Sequence, residues 1–228
     1  MTQALILAGG RGERLRPITD YVPKPLVPLA NIPLLEWQLR YLQQFDIYDV
    51  VICTGYKTKL IQNFLSRGGY DQVRISMENE PLGTGGAIRN AATYIHDDFY
   101  VLNGDIITDI NINSIKPNHI ASVPMRTQFG TLKIKENNII EFKEKQVIRD
   151  QWINAGVYGF KTDVFAELPI RGDIEKTLFP RWAHAGRLKV TKFPDSRWYS
   201  IDSFKDLQEC SRYVSDIIPI KNPYSSHS

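Results

Sequence analysis

A glycine-rich loop with three arginines, directly after the first apolar segment, is the feature that most constrains the fold of this chain. Residues 4–8 are apolar and the loop follows at once, which predicts a buried strand that ends in a turn. Glycines let such a loop approach a ligand without a Cβ clash, and its successive N–H groups can form an anion-binding concavity. Arginine adds forked donors that suit phosphate oxygens. The residues concerned are Gly9, Gly10, Gly12, Arg11, Arg14 and Arg16.

Two better-known glycine motifs do not fit this loop. A Walker loop needs G-x-x-x-x-G-K-S/T, and no Gly-Lys-Ser/Thr follows here. A dinucleotide fingerprint needs G-x-G-x-x-G, and Leu15 stands where its last glycine would be. A plain glycine turn with solvated arginines is the simplest alternative. Pro17, Thr19 and a Lys24 between two prolines make the stretch more specific than such a turn.

From Gly9 to Pro28 the chain resembles the sugar-1-phosphate nucleotidyltransferases, whose pattern is G-G-x-G-x-R-L-x-P-x-T followed by P-K-P-L-x-P. Every fixed position of that pattern is present. The resemblance implies that an NTP and a sugar 1-phosphate, with Mg²⁺, give an NDP-sugar and pyrophosphate. It implies Arg14 and Lys24 as the catalytic cations. It also implies nucleotide contacts from the strand end and loop, that is from Leu7, Ala8, Gly9, Gly10, Arg11 and Gly12.

Apolar segments of strand and helix length alternate over the first half of the chain. Strands are expected at 49–54, 73–77 and 99–102, with amphipathic helices between them. This rhythm predicts an α/β fold with a mostly parallel, mixed central sheet and helices on both faces, which is a Rossmann-like three-layer α/β/α arrangement. Ligands bind beyond the carboxyl ends of such strands, where the glycine loop lies.

A length of 228 residues suits one domain with a sizeable core. We expect that domain at 1–216, with a nucleotide-binding part at 1–115, a small β-rich sugar-binding part at 116–216, and a flexible tail at 217–228.

A net charge of +3 fits an anionic small substrate and gives no case for nucleic acid. We expect neither a membrane span nor a cleavable leader, because no apolar run is long enough and the first residues lack a leader pattern, and the two well-separated cysteines favour a reduced, cytoplasmic chain.

The segment E-N-E-P-L-G-T-G-G-A at 78–87 follows a predicted strand and opens a predicted helix, with Thr84 as a candidate cap. It resembles the family's base-contacting P-L-G-T-A/G-G-A. The resemblance implies nucleotide contacts from Pro81, Gly83 and Thr84 and a base-reading role for Glu78. A carboxylate at Glu78 can accept from guanine N1–H and N2–H₂, but also from uracil N3–H, so it favours GTP only weakly.

Two aspartates are the candidate metal ligands. Asp105 follows a predicted buried strand in L-N-G-D, where the family places its principal metal aspartate; Asn103 and Gly104 before it are assigned to the sugar phosphate. The family's second metal motif, W-x-D-I-G-T-P-x-D-L, puts Ser200 at the ligand position if it is matched without a gap. A variant with I-D-S puts Asp202 there instead. We favour Asp202, because serine is a poor sole partner for Mg²⁺ opposite Asp105.

The second half of the chain predicts the sugar-binding part. Residues around the Asn-Asn turn alternate as in a hairpin, which ends in F-K-E-K. That end resembles the family's F-x-E-K, and the resemblance implies that Glu144 binds sugar hydroxyls and Lys145 meets the sugar phosphate. Gln146 replaces the usual proline. I-N-A-G-V-Y resembles the family's N-A/G-G-I/V-Y, which implies hydroxyl recognition by Asn154 and room for the ring at Gly156.

Two expectations concern support and assembly rather than substrate contact. D-I-E-K resembles the family's S-I-E-K, with Asp173 as a candidate helix cap and with Glu175 and Lys176 supporting the pocket. The sequence is also compatible with a homo-oligomer. Trp182 and Trp198 are candidate interface aromatics, although tryptophans in such positions more often belong to the core.

Three functions fit this sequence. The first is a GTP-using guanylyltransferase acting on mannose or heptose 1-phosphate, in line with the compact length and the E-P-L-G-T-G-G-A-I segment. The second is a uridylyltransferase acting on a glucose, amino-sugar or muramic acid phosphate. The third is a non-catalytic nucleotide-sugar-binding regulatory subunit, which the presence of Arg14, Lys24 and Asp105 argues against.

Overall fold

A seven-stranded mixed sheet forms the centre of the computed structural model, which describes residues 1–219. Its order is β12-β8-β11-β6-β1-β4-β5. Three two-stranded sheets pair β2 with β3, β7 with β13 and β9 with β10. The strands, numbered along the chain, are β1 (Gln3–Ala8), β2 (Pro28–Leu29), β3 (Ile32–Pro33), β4 (Asp49–Thr54), β5 (Arg74–Met77), β6 (Phe99–Asn103), β7 (Ile106–Thr108), β8 (His119–Arg126), β9 (Thr131–Lys135), β10 (Asn138–Lys143), β11 (Val147–Phe160), β12 (Lys189–Lys192) and β13 (Trp198–Ser200).

The direction of the strands confirms the predicted sheet. Strands β6, β1, β4 and β5 are parallel to their neighbours, and β12 is parallel to β8. Only β11 runs antiparallel in this sheet, to β6 on one side and to β8 on the other. The sheet is therefore mostly parallel but mixed, and the parallel strands end at one common edge.

Helices cover both faces of the sheet, as predicted. They are α1 (Ile18–Tyr21), α2 (Leu34–Gln43), α3 (Thr58–Arg67), α4 (Gly83–Asn90), α5 (Leu178–His184), α6 (Phe204–Ser211) and α7 (Val214–Ile217), with short 3₁₀ turns at Glu13–Leu15, Lys24–Leu26, Ala92–Tyr94, Ile112–Ser114 and Thr162–Ala166. Within the described residues, none of these helices is long and apolar enough to cross a membrane.

The strands of this sheet are apolar on both sides because side chains alternate along them. On β1, Ala4 and Ile6 pack into one core with α2, α3, α6 and α7. Leu5 points the other way, into a second core with α4 and α5. The two cores enclose the sheet and give the three layers of a Rossmann-like fold.

Three predicted boundaries differ from the structure. Helix α4 begins at Gly83 and is preceded by Leu82, so Thr84 does not cap it. Asp173 is not the cap of a helix either, because α5 starts only at Leu178. At the other end of the chain, Ile217 and Ile218 are buried, so packing continues past the expected boundary at 216. Residues 220–228 of the expected tail lie outside the described residues.

Candidate active site

A cavity of about 600 Å³ opens at the carboxyl edge of the parallel strands. The glycine loop and the two candidate metal ligands line it, as do residues of the predicted base-contacting segment. Its walls also include Glu13, Leu15, Pro25, Ala87 and Asp173, which were not predicted as site residues. The predicted site residues that line it are Leu7, Ala8, Gly9, Gly10, Arg11, Gly12, Arg14, Lys24, Glu78, Pro81, Gly83, Thr84, Asn103, Gly104, Asp105 and Asp202.

Lys24 lies between the two aspartates at the floor of this cavity. Its Nζ donates to Asp105 Oδ2 at 2.8 Å and to Asp202 Oδ1 at 2.9 Å. Arg14 Nη2 donates to the same Asp202 oxygen at 2.7 Å. The Lys24 side chain is largely buried, whereas that of Arg14 is 75% exposed. Two cations and two carboxylates from three distant parts of the chain thus meet at one place.

Backbone contacts between the loops explain why these side chains meet. Gly104 N donates to the carbonyl oxygen of Leu7 at 2.9 Å, which holds the end of β6 against the end of β1. A Cβ at Gly104 would collide with that carbonyl, so the close approach requires glycine. The pairing of β7 with β13, together with a bond from Ile201 N to Asp105 O at 2.9 Å, brings Asp202 beside Asp105.

The conformation of Gly12 shapes the glycine loop around Lys24. Gly12 has a φ of +63°, in the left-handed region, and a Cβ there would lie 2.9 Å from the Cβ of Lys24. Thr19 Oγ1 donates to the Gly12 carbonyl at 2.9 Å and fixes the turn. The glycine and threonine of the sequence motif are therefore explained by the loop itself, before any ligand is considered.

Of the two candidates for the second metal position, Asp202 lines the cavity and Ser200 does not. Asp202 lines the cavity and faces Asp105 across Lys24, whereas Ser200 donates from its Oγ to Asp202 Oδ2 at 3.0 Å. Burial works to raise the pKa of Asp202. The hydrogen bond and charge of Lys24, the Ser200 hydroxyl and the Arg14 charge outweigh burial and hold the pKa below its usual range. Asp202 is thus kept ionised, and Ser200 orients it.

The donor set of this cluster fits a hard divalent cation. Within residues 1–219, no group of three or more His, Cys, Asp and Glu side chains is placed to hold a metal ion. Mg²⁺, however, is commonly bound through only one or two carboxylates together with substrate phosphates and water. Asp105 and Asp202 provide two such carboxylates, and both contact one ammonium, so they are close enough to share a cation.

Glu78 lies at another part of the cavity wall and is packed against backbone. Its Oε2 accepts from Leu82 N at 3.3 Å, and a Cβ at Gly55 would lie 2.7 Å from its Oε1. Burial raises the pKa of this carboxyl, and the Leu82 N–H offsets only part of the rise. Glu78 is therefore a partly desolvated acceptor beside the glycine loop.

Thr84 takes part in a hydrogen-bonded chain instead of capping α4. Its Oγ1 donates to Glu175 Oε2 at 2.6 Å and accepts from Ile174 N at 2.9 Å. Tyr158 donates to the other Glu175 oxygen at 3.4 Å, and Asn154 Nδ2 donates to the Tyr158 hydroxyl at 2.9 Å. The Glu175 carboxylate thus ties the predicted base-contacting segment at 78–87 to strand β11.

The structure does not bring Asn154 and Gly156 to the cavity wall. Besides its bond to Tyr158, Asn154 accepts from Gly156 N through Oδ1 at 2.9 Å, so its amide is engaged within the protein. Gly156 has a φ of +70°, and a Cβ there would lie 2.9 Å from Asn103 Nδ2. The glycine makes room for the Asn103 side chain, which does line the cavity.

The predicted sugar pair also lies apart from the cavity. Glu144 and Lys145 are exposed and follow the hairpin of β9 and β10, which turns at Glu136 and Asn137, one residue before the predicted Asn137-Asn138 turn. Lys145 has a φ of +46°. The structure therefore assembles the phosphate and base end of the predicted site, whereas these two side chains stand outside it.

Comparison with known proteins shows the family of this chain. The sequence pattern described as "Nucleotidyl transferase" matches residues 3–216, and the chain belongs to that family. It is a sugar-1-phosphate nucleotidyltransferase, a class whose members generally use a divalent metal ion.

Two relatives and one solved structure show which members of the family this chain is similar to. The chain is 34% identical over 177 residues to the D-glycero-alpha-D-manno-heptose 1-phosphate guanylyltransferase of Campylobacter jejuni, covering 74% of this chain and 80% of that protein. It is 33% identical over 225 residues to the mannose-1-phosphate guanylyltransferase catalytic subunit beta of Dictyostelium discoideum, covering 90% and 62%. The crystal structure of HddC from Yersinia pseudotuberculosis complexed with GMP-PN superposes with a TM-score of 0.73 at 26% identity, covering 93% and 99%.

Proposed function

We propose that this chain is a GTP-dependent, Mg²⁺-dependent guanylyltransferase that converts a heptose or mannose 1-phosphate to the GDP-sugar and pyrophosphate. The observation that carries the proposal is the placement of Lys24 between Asp105 and Asp202, beside the glycine loop. The guanylyltransferase names of the relatives and the guanine-nucleotide complex of HddC support the choice of GTP and of the sugar.

The proposed reaction needs correctly positioned reactants and stabilisation of the charge on the phosphates. It does not need a covalent intermediate. A phosphate oxygen of the sugar 1-phosphate attacks the α-phosphorus of GTP, the bond to the β-phosphate breaks, and pyrophosphate leaves in line. The sugar phosphate is already ionised at neutral pH, so no general base is needed. Reactants held in line at short distance gain most of the rate from orientation and from stabilised charge.

Lys24 and Arg14 supply the stabilising charge in this proposal. Lys24 is held at the floor of the cavity and contacts the α-phosphate and sugar phosphate region. Arg14 is exposed and stabilises the triphosphate and the departing pyrophosphate. Asp105 and Asp202 would hold Mg²⁺, which supplies charge neutralisation to the phosphates when bound. The N–H groups of the glycine loop complete the anion site.

Base and sugar are recognised at separate places. Glu78, once ionised, accepts two hydrogen bonds from N1–H and N2–H₂ of guanine, a pair that uracil does not offer. Asn103 and Gly104 lie beside Asp105 and are placed to meet the sugar phosphate. Glu144, Lys145, Asn154 and Gly156 remain predicted sugar-binding residues. Cys53 and Cys210 are free, buried thiols, in line with a reducing compartment, so we place the reaction in the cytoplasm.

Pyrophosphate release across a panel of nucleoside triphosphates and sugar 1-phosphates tests the proposal. The expected maximum is GTP with heptose or mannose 1-phosphate, at millimolar Mg²⁺, and EDTA stops it. A strong preference for UTP would replace the guanylyltransferase by a uridylyltransferase. No release with any pair, in a protein that still binds nucleotide-sugar, would identify a regulatory subunit.

A further inference from the structure

Helix α2 has one amide side chain among the residues that it buries. Gln38 is only 1% exposed, whereas the other buried positions of this helix are leucines and aromatics. An amphipathic helix normally buries apolar side chains, and a buried amide costs stability unless its polar atoms find partners. The partners of the Gln38 amide therefore indicate why a glutamine stands there.

The Gln38 amide closes the turn that carries Asp105. Its Nε2 donates to the carbonyl oxygen of Asn103 at 2.8 Å and to that of Ile106 at 3.1 Å. These two residues are the last of β6 and the first of β7, so Gly104 and Asp105 lie between the two bonds. Because both partners are acceptors, the NH₂ group and not the oxygen of the amide must face them. One side chain thus holds both ends of the turn.

The oxygen of the same amide is not satisfied. Gln38 Oε1 is buried and has no hydrogen-bond partner within residues 1–219. Unpaired buried acceptors cost stability and are rare in folded proteins. Packing of the core alone therefore does not account for a glutamine at this position, whereas its two donors do.

Helix α2 is also fastened to the segment that follows Lys24. Its Trp37 donates from Nε1 to the carbonyl oxygen of Leu29 at 2.9 Å, in a buried contact. One helix thus contacts both segments that supply the ion pair of Lys24 and Asp105, whose Nζ and Oδ2 are 2.8 Å apart. The position of Asp105 relative to Lys24 depends on the bonds of Gln38.

We propose that Gln38 is a positioning residue of the reaction, which holds the Asp105 carboxylate where Lys24 and a divalent cation meet it. The inference rests on the proposed function, because it takes Asp105 as a ligand of Mg²⁺. The backbone bonds of Gly104 N and Ile201 N fasten the same turn at single points, whereas Gln38 spans it. Groups that orient a metal ligand are commonly worth about 10- to 100-fold in metal affinity or activity.

Gln38→Met tests the proposal, because it keeps the approximate length of the side chain and removes both donors. Tyr41→Phe is the matched control, since it lies on the same helix and removes a buried hydroxyl that donates to Ile110 O at 2.7 Å. Both variants leave buried carbonyl oxygens unpaired, but only Gln38→Met does so at the Asp105 turn. Gln38→Asn, whose shorter amide does not reach both carbonyls, takes its place if the methionine variant does not fold.

Hydrogen–deuterium exchange measures the turn without substrate or turnover. Gln38→Met is expected to speed exchange at residues 104–106 by about 10-fold or more, and Tyr41→Phe is expected to act near Ile110 instead, because local opening follows the bonds that are lost. The Mg²⁺ concentration that half-saturates turnover should rise by about 10-fold in Gln38→Met. In Tyr41→Phe it should stay within about 2-fold of the wild type, because the Asp105 turn keeps both bonds.

The two measurements separate the possible failures. Unchanged exchange at residues 104–106 in the Gln38 variants would show that the amide does not hold the turn. Faster exchange with an unchanged Mg²⁺ requirement would overturn the positioning role, and so would a rise that Tyr41→Phe shares. A wild-type protein without turnover would refute the proposed function and the positioning role that rests on it, whereas the exchange data would still show whether Gln38 holds the turn.

Discussion

The phosphate end of the site and the hairpin that carries the predicted sugar pair are built in opposite ways. Lys24, Asp105 and Asp202 stand on loops fixed by buried parallel strands and by backbone bonds such as that of Gly104 to Leu7. Glu144 and Lys145 follow an exposed hairpin that makes few contacts with the core. The contrast teaches that a rigid scaffold holds the phosphate end, while the predicted sugar pair stands on a segment that packing does not fix.

Replacing Lys24 should give the largest effect, because the side chain is the only cation that contacts both aspartates in the described structure. Lys24→Ala is expected to lower kcat by about 10²- to 10³-fold, the usual cost of losing one preorganised group that stabilises transition-state charge. Pyrophosphate release under saturating substrates measures it, with the exposed Lys59→Ala as the matched control. A wild-type rate for Lys24→Ala would break the account of the phosphate end.

The second-largest effect is expected for Asp202, and it should separate Asp202 from Ser200, the other candidate for the second metal ligand. Asp202→Ala is expected to lose about 10²-fold in kcat/KM and to need far more Mg²⁺, whereas Ser200→Ala, which only orients the carboxylate, should lose about 10-fold or less. Titrations of Mg²⁺ against turnover for both variants measure the difference. If Ser200→Ala were the more damaged enzyme, the metal ligand would have to be reassigned.

Glu78 should show a pH signature. Burial raises its pKa, so its carboxylate takes up a proton, as pH falls, at a higher pH than an ordinary glutamate near 4.3. The protonated form cannot accept both guanine hydrogen bonds, and the KM for GTP should therefore rise toward acid pH. Glu78→Gln is expected to raise the KM for GTP by about 10- to 100-fold, which is the usual cost of losing hydrogen bonds to a charged group. In this variant the KM for GTP should no longer rise toward acid pH. An unchanged KM profile for Glu78→Gln would remove the residue from base recognition.

Much of this fold and of the phosphate end could be predicted from sequence because the evidence is local there. Alternating apolar segments give the strands, and the loop glycines satisfy backbone demands within a few residues, as Gly12 does. Two features could not be predicted in this way. The Thr84 hydroxyl is engaged by Glu175, which is 91 residues away. Strand β11 has a register shift against β8 between Asn154 and Tyr158, and Asn154 bonds to Tyr158 and Gly156 instead of lining the cavity.

Glu175 joins the two regions, so it tests whether they act as one site. Glu175→Gln keeps the shape but weakens the bonds to Thr84 and Tyr158, and it should raise the KM for both substrates by about 10-fold with a smaller change in kcat. Thr84→Ser retains the hydroxyl and should keep nearly normal constants, and the exposed Lys161→Ala is the control. A loss confined to kcat would argue that Glu175 acts on the chemistry instead of on the positions of the segments.

The double substitution Glu144→Gln with Lys145→Gln should have the smallest effect, and its size bears most directly on the contrast. If Glu144 and Lys145 stay exposed to water when they contact the sugar phosphate, the KM for the sugar phosphate should rise by about 5-fold or less. Exposed ion pairs contribute only about 0–1 kcal/mol. The effect should also shrink with added salt, because exposed charges are screened. Initial rates at two salt concentrations, with the exposed Lys133→Gln as control, measure both. A loss of 100-fold or more would mean that the hairpin end closes onto the substrate, and the sugar end would then be as firmly held during turnover as the phosphate end.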